Sequence, residues 1–195
     1  MKELKIVLYI FLFDGFSDWE IAYLTPEITK SDKAILKTFS LYGSPIISLG
    51  GLKIIPDYSM QEMSTENISV LILPGGDGWK EKKIKGIDKI VKHLRSEKRT
   101  IAAICGATTY LAEQGYLDDI QHTSNDLNYL KYFAPDYKGE KNYQTELAVT
   151  DKNIITANGI APIEFAREIF KNIHLHSDED IEKWFQLFKY GIWSK

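Results

Sequence analysis

Cys105, the only cysteine in the chain, is the residue best placed to do chemistry. It interrupts residues 100–109, TIAAICGATT, in which β-branched and small residues predict a strand before the cysteine and a helix after it. A thiol in a strand-to-helix turn lies near the unpaired N–H groups of the new helix, which favour the thiolate. The turn therefore predicts a cysteine nucleophile. The alternative is an inert, buried cysteine at a strand end.

The residues around the cysteine allow a tight turn. Ala103 and Ala107 are small, and Gly106 has no Cβ to obstruct the backbone. The resulting pattern, small-x-Cys-x-small, is the sulfur counterpart of the G-x-S-x-G elbow, in which a strained turn holds the nucleophile clear of the sheet.

Glu20 is the first candidate partner of the thiol. It follows an apolar run over residues 4–13 and a break at Asp14-Gly15, and its spacing from Ser17 is that of a helix capping box. These features predict that Glu20 lies in the first helical turn after the first strand. That turn belongs to the carboxyl end of the sheet, where ligands bind in open α/β folds. A cap without a further role is the alternative.

A Pro-Gly-Gly turn follows the apolar run over residues 68–73. If this strand is parallel to the one before the cysteine, both end at the same edge of the sheet. Gly75 and Gly76 could then direct backbone N–H groups at an oxyanion; a plain turn is the alternative. Asp77, just after the turn, and Asn125, in a short polar segment, are further candidate pocket residues.

The elements that must position these residues predict an α/β fold. Apolar runs of strand length alternate with amphipathic helical patterns, and two hairpins are expected, one around Gly50-Gly51 and one over residues 146–157. We expect the first hairpin to extend an edge of the sheet. The order of elements predicts a three-layer α/β/α sandwich with a mostly parallel sheet.

Composition narrows the functional classes. A chain of 195 residues predicts one domain over residues 1–195, and a net charge of −3 with interleaved signs gives no reason to expect nucleic-acid or membrane partners. A single cysteine forms no internal disulfide, and no Cys/His cluster calls for a metal. The first apolar run is too short to span a bilayer. We therefore expect a cytoplasmic protein without a cofactor that binds a small molecule.

Four motifs in this order resemble the ThiJ/PfpI family of the class I glutamine amidotransferase-like superfamily. They are Asp14-Gly15-Phe16 with Glu20, the strand end ILPGG at 72–76, the elbow AAIC at 102–105 followed by GYLD at 115–118, and ITANG at 155–159 before Ala161-Pro162. The resemblance covers residues 4–173. It implies a flavodoxin-like α/β fold and a homodimer or larger homo-oligomer. We expect the hairpin near Gly50-Gly51 and the aromatic segment 184–193 to form its contacts; the alternative for that segment is that it covers the sheet.

The resemblance also implies roles for individual residues. Cys105 matches the reactive elbow cysteine, and Glu20 matches an acid whose protonated carboxyl hydrogen-bonds the thiolate. Gly75 or Gly76, together with the N–H of Gly106, matches the backbone that binds an oxyanion.

The sequence departs from the family where a histidine is expected. One branch of the family has a histidine directly after the cysteine, where this chain has Gly106. Another branch has a histidine after a Thr-Thr pair, which matches Thr123-Ser124 here, so that Asn125 takes the histidine's place. We interpret the neighbouring His122 as a surface histidine satisfied by its surroundings.

Without an imidazole, peptide hydrolysis is the family activity with least support. The sequence favours a cysteine-dependent hydrolase, amidase or carbonyl-processing enzyme that acts on a small molecule. A non-catalytic sensor of redox stress or a metabolite-binding protein that uses the same cysteine remains open.

Overall fold

The computed structural model describes residues 5–193, and its centre is a seven-stranded sheet in the order β5-β2-β1-β6-β7-β9-β8. All neighbouring strands in it are parallel except β8 and β9. The strands are β1 (Ile6–Phe11), β2 (Ala34–Ser40), β5 (Tyr58–Ser59), β6 (Val70–Leu73), β7 (Thr100–Ile104), β8 (Ala148–Asp151) and β9 (Ile154–Ala157). The predicted three-layer α/β sandwich with a mostly parallel sheet is thus confirmed.

Helices cover both faces of this sheet. Their bounds are α1 (Leu24–Lys30), α2 (Asp77–Lys80), α3 (Asp88–Ser96), α4 (Gly106–Glu113), α5 (Leu127–Phe133), α6 (Pro162–Asn172) and α7 (Asp178–Tyr190), with short 3₁₀ turns at Asp18–Ile21 and Glu140–Asn142. No helix in the described residues is long and apolar enough to cross a membrane.

The burial of both sheet faces explains the continuous apolar runs. Tyr9 and Phe11 of β1 pack in a core with α3 and α4, whereas the alternating Leu8 and Ile10 pack in a second core with α1, α6 and α7. Side chains of a strand alternate between its faces, so a strand covered on both sides needs apolar residues at every position. The predicted start of β1 at residue 4 lies outside the described residues.

The first predicted hairpin forms, but in a different place. Its strands, β3 (Ile46–Ile47) and β4 (Lys53–Ile54), make a separate two-stranded antiparallel sheet, so the expected extension of the main sheet is wrong. Loop hydrogen bonds from Gly15 N to Ile47 O and from Leu49 N to Phe16 O instead fasten the hairpin to the segment after β1, at 2.8 Å each.

The predicted capping box before α1 is also wrong. Ser17 makes no side-chain capping hydrogen bond, residues 18–21 form a 3₁₀ turn, and α1 begins only at Leu24. The Glu20 side chain is fully buried and does not turn back to its own helix. It points toward Gly75, just after the end of β6.

Candidate functional site

Cys105 lies in a strained turn between β7 and α4. Its backbone has φ 57° and ψ −124°, a conformation that a residue with a Cβ rarely adopts. The Cys105 N–H donates to the Ala157 carbonyl at 3.0 Å, and the Cys105 carbonyl accepts from the Thr108 N–H at 3.1 Å and from its hydroxyl at 2.6 Å. Neighbouring strand and helix thus hold the turn, which has the geometry of the predicted elbow.

Glu20 reaches the elbow from the 3₁₀ turn after β1. Its side chain is completely buried, and its Oε2 accepts a hydrogen bond from the Gly75 N–H at 2.5 Å. The turn itself is fastened in the same place, because the Ser17 N–H donates to the Gly75 carbonyl at 3.0 Å. The other carboxyl oxygen, Oε1, is buried and has no hydrogen-bond partner among residues 5–193.

Gly75 lies beside both the thiol and the carboxyl, where any side chain would come between them. A Cβ at Gly75 would lie 2.7 Å from the Cys105 Cβ and 2.7 and 2.8 Å from the two Glu20 oxygens, closer than real Cβ contacts come. The two acids can approach each other only because residue 75 has no side chain. The Gly75 N–H is taken by Glu20 instead of facing an oxyanion, which corrects the sequence-based expectation for this residue.

Gly76 and Gly106 remain the candidate oxyanion donors. Gly76 has φ 138°, which favours glycine, and a Cβ there would lie 2.6 Å from the Gly15 carbonyl oxygen. A Cβ at Gly106 would lie 3.0 Å from the Gly76 carbonyl oxygen, so the turn after β6 lies directly against the start of α4. This packing places the backbone of both glycines next to Cys105.

Asn125 occupies the position of the expected histidine and contacts the thiol. Its Nδ2 donates to the Cys105 Sγ at 3.3 Å, and its Oδ1 accepts from the Gly159 N–H at 2.9 Å. Gly159 also lies against the thiol, because a Cβ there would be 2.8 Å from Sγ. Sequence reasoning had given Gly159 no role in the site, although it belongs to a matching motif.

Burial controls the protonation of the two acids. It raises the pKa of Glu20 to about 7, although the hydrogen bond from the Gly75 N–H and the nearby Cys105 and Ser17 side chains act in the opposite direction. Burial likewise raises the pKa of the Cys105 thiol, and the nearby Glu20 charge adds to this rise, while the hydrogen bond from Asn125 and the adjacent Gly106 N–H lower it. The pKa of the thiol therefore lies above that of Glu20, so the thiol keeps its proton at neutral pH while Glu20 titrates.

Two other predicted residues lie apart from the thiol. Asp77 begins α2, forms an ion pair with Lys80, and lines a separate cavity of about 390 Å³ with Phe13 and Asp14. His122 is not at the surface: its ring is fully buried and contacts the Ile120 carbonyl at 2.8 Å and the Tyr137 hydroxyl at 2.5 Å. The core interactions of this histidine explain why it does not face Cys105.

Sequence reasoning missed Tyr129, whose hydroxyl lies close enough to Cys105 and Asn125 for them to influence its pKa. A signal was present, because α5 begins just after Asn125 and its first turn must border the cysteine. No group of three or more His, Cys, Asp or Glu side chains that could hold a metal ion occurs within residues 5–193.

The mostly parallel α/β sandwich, the cysteine in a strained elbow and the buried acid beside it define a class of cysteine-elbow proteins. Residues 5–172 match the sequence profile of the DJ-1/PfpI family, and the chain belongs to that family. The ThiJ/PfpI resemblance found in the sequence is thereby confirmed.

Relatives match along almost the whole chain. The Bacillus subtilis protein named "Uncharacterized protease YoaZ" is 42% identical over 196 residues, covering 97% of this chain and 92% of the relative. Another B. subtilis protein, "Uncharacterized protease YdeA", is 36% identical over 194 residues, which cover 97% of this chain and 94% of the relative.

Crystal structures of relatives have the same fold. A DJ-1 superfamily protein from Agrobacterium tumefaciens superposes with a TM-score of 0.87 at 34% identity, covering 95% of this chain and 98% of the other. A ThiJ/PfpI family protein from Bacillus anthracis superposes with a TM-score of 0.84 at 41% identity, covering 96% and 91% respectively.

Proposed function

We propose that this protein is an enzyme that adds the Cys105 thiol to the carbonyl group of a small molecule, an aldehyde or an amide. One observation carries the proposal: a buried carboxyl whose pKa is raised to about 7 lies beside a thiol in an elbow turn. An acid that titrates near neutral pH can both accept and return a proton.

The proposed reaction uses groups described above. The Glu20 carboxylate takes the thiol proton as the sulfur–carbon bond forms, and the electron pair of the carbonyl double bond moves to its oxygen. The N–H groups of Gly76 and Gly106 stabilise the resulting oxyanion. With an aldehyde, the proton held by Glu20 then passes to this oxygen and gives a hemithioacetal. With an amide, the adduct collapses, the amine leaves with the proton held by Glu20, and a thioester remains on Cys105 until water hydrolyses it.

The missing histidine favours the carbonyl reaction over peptide hydrolysis. Proton transfer to a departing amine is the usual task of an imidazole beside the nucleophile. Asn125 stands in that position and cannot carry a proton at neutral pH. Two relatives are named as proteases, which supports a test of amides beside aldehydes.

A panel of small aldehydes and amides, assayed with the wild type and with Cys105→Ala, tests the proposal. We expect the wild type to form a hemithioacetal with at least one aldehyde or to hydrolyse at least one amide, and the variant to do neither. Turnover that survives in Cys105→Ala would refute a role for the thiol. The variant should fold normally, because alanine fits the same space, and a circular dichroism melt checks this.

A redox-sensing role is the second candidate, supported by the unpartnered Glu20 Oε1 near the thiol. A protonated carboxyl there could donate a hydrogen bond to a sulfinic acid formed on Cys105. Mass spectrometry after mild peroxide treatment would then find two added oxygen atoms on Cys105 in the wild type and further oxidation in Glu20→Ala. Equal oxidation of both proteins would speak against this role.

A further inference from the structure

Tyr129 brings to the Cys105 site a hydroxyl group that the proposed reaction does not use. It lies in the first turn of α5, where the Asp126 carboxylate caps the helix and accepts a hydrogen bond from the Tyr129 N–H at 3.3 Å. The hydroxyl oxygen is shielded from solvent and has no hydrogen-bond partner among residues 5–193. Buried hydroxyl groups nearly always have a partner, so this one requires an explanation.

The hydroxyl belongs to the surroundings of the thiol, because Tyr129 lies one helical turn beyond Asn125, whose amide contacts the Cys105 Sγ. Burial raises the pKa of Tyr129, the charge of Cys105 raises it further, and the more distant Asp77 and Glu20 add to the rise, while Asn125 lowers it. The hydroxyl thus lies among the groups that surround Cys105. It stays protonated throughout the neutral range and can serve only as a hydrogen-bond donor or acceptor, not as a charged group.

No acceptor within residues 5–193 takes the proton of this hydroxyl. Both ends of the neighbouring Asn125 amide are already engaged, one by the Cys105 Sγ and the other by the Gly159 N–H. The Tyr129 ring packs against Phe133 with a centroid separation of 4.9 Å, which helps to fix its direction. An oriented donor without a protein acceptor, next to a nucleophile, suits an acceptor atom on a bound molecule.

We propose that the Tyr129 hydroxyl donates a hydrogen bond to the oxygen of a small carbonyl compound held at Cys105 and so acts as a catalytic residue. This inference rests on the proposed function. As the sulfur–carbon bond forms, the carbonyl electron pair moves to oxygen and the thiol proton goes to Glu20. Tyr129 keeps its own proton and stabilises the growing negative charge.

Tyr129→Phe removes only the hydroxyl oxygen, and Tyr132→Phe is the matched control, because Tyr132 lies on the same helix and is 78% exposed. The probe is propionaldehyde, which protects Cys105 from iodoacetamide by forming a reversible hemithioacetal. Tyr129→Phe should raise the half-protecting concentration about tenfold, in line with the loss of one hydrogen bond to the oxygen of the adduct. Tyr132→Phe should match the wild type.

Further readouts separate the possible failures. We expect the alkylation rate without aldehyde and the melting temperature of Tyr129→Phe to stay at wild-type values, since no hydrogen bond within the described residues is lost. Unchanged protection in Tyr129→Phe would overturn the role of the hydroxyl and leave the proposed function standing. If propionaldehyde fails to protect the wild type, carbonyl addition and the inference built on it both fall.

Discussion

At the scale of single residues, the site depends on the direction in which the Glu20 carboxyl points. The sequence correctly suggested that Glu20 and Cys105 belong to the same edge of the sheet, because both follow predicted parallel strands. It could not reveal that Glu20 turns away from its own helix. That direction is set by the Gly75 N–H, a partner far away in sequence whose position becomes known only when the strands pair.

The titration of Glu20 should appear in the pH dependence of the reaction. Because the pKa of Glu20 is raised to about 7, kcat/KM in the wild type should rise with pH and level off above this value. Glu20→Gln cannot accept the proton, so the inflection should vanish and kcat/KM at pH 8 should fall about 100-fold. Steady-state kinetics from pH 5 to 9 measures both effects.

Glu97→Gln is the matched control for that experiment. Glu97 is exposed and follows α3, outside the site, so its variant should keep the wild-type profile. An inflection near neutral pH that persists in Glu20→Gln would assign the titration to another group.

At the scale of elements, the turns carry the residues of the site, and the strands place these turns at one edge of the sheet. Apolar runs predicted the strands well, because burial on both faces leaves a clear signal. The position of the first hairpin was predicted wrongly, since its pairing depends on hydrogen bonds to the segment after β1 that leave no local pattern. Asp77, next to the Gly75-Gly76 turn in sequence, faces a different cavity because the chain enters α2 there.

The turn after β6 should tolerate no side chain at residue 75. We expect Gly75→Ala to push Glu20 away from Cys105, to lower the free energy of unfolding by about 1–3 kcal/mol, and to slow the reaction with aldehydes. Urea denaturation and the aldehyde assay measure the two effects.

Gly51→Ala is a suitable comparison, because a Cβ at Gly51 meets no atom within 4 Å even though its φ of 85° disfavours alanine. This change should cost some stability through its backbone alone. It should leave the reaction unaffected, and an equal loss of activity in both variants would show that proximity of residue 75 to Glu20 is not the cause.

At the scale of the whole molecule, the buried acid makes stability depend on pH. The pKa of Glu20 is raised in the folded state, from 4.5 to about 7, so the folded protein holds this proton more tightly than the unfolded chain. The associated stabilisation is complete below pH 4.5 and is lost as pH rises through 7, which amounts to roughly 3 kcal/mol. Glu20→Gln should remove this loss.

Chemical denaturation of both proteins at pH 4.5 and pH 8 tests the expectation. The variant should gain stability relative to the wild type as pH rises, and Glu97→Gln should not. A constant difference between wild type and Glu20→Gln at the two pH values would mean that the Glu20 pKa is not raised.

Self-association is a second prediction at this scale. The hairpin exposes four apolar side chains, which are those of Ile47, Leu49, Leu52 and Ile55. We expect this surface to contact a second copy of the chain, so that sedimentation gives a multiple of 22.4 kDa. Leu52→Asp combined with Ile55→Asp should yield the monomer mass. Trp193→Asp changes the C-terminal segment, which is also exposed, and so tests the other expected contact. A wild type that sediments as a monomer would contradict both.

The contact between Glu20 and Gly75 joins residues 55 positions apart, and the Gly159–Asn125 contact joins residues 34 apart. No short piece of the chain can therefore shield or tune the thiol; only the paired strands β1, β6, β7 and β9 together do so. Because such distant contacts form late in folding, Cys105 in an incomplete chain would behave as an ordinary thiol. The rate at which a thiol reagent labels Cys105 during refolding therefore reports when these last contacts form.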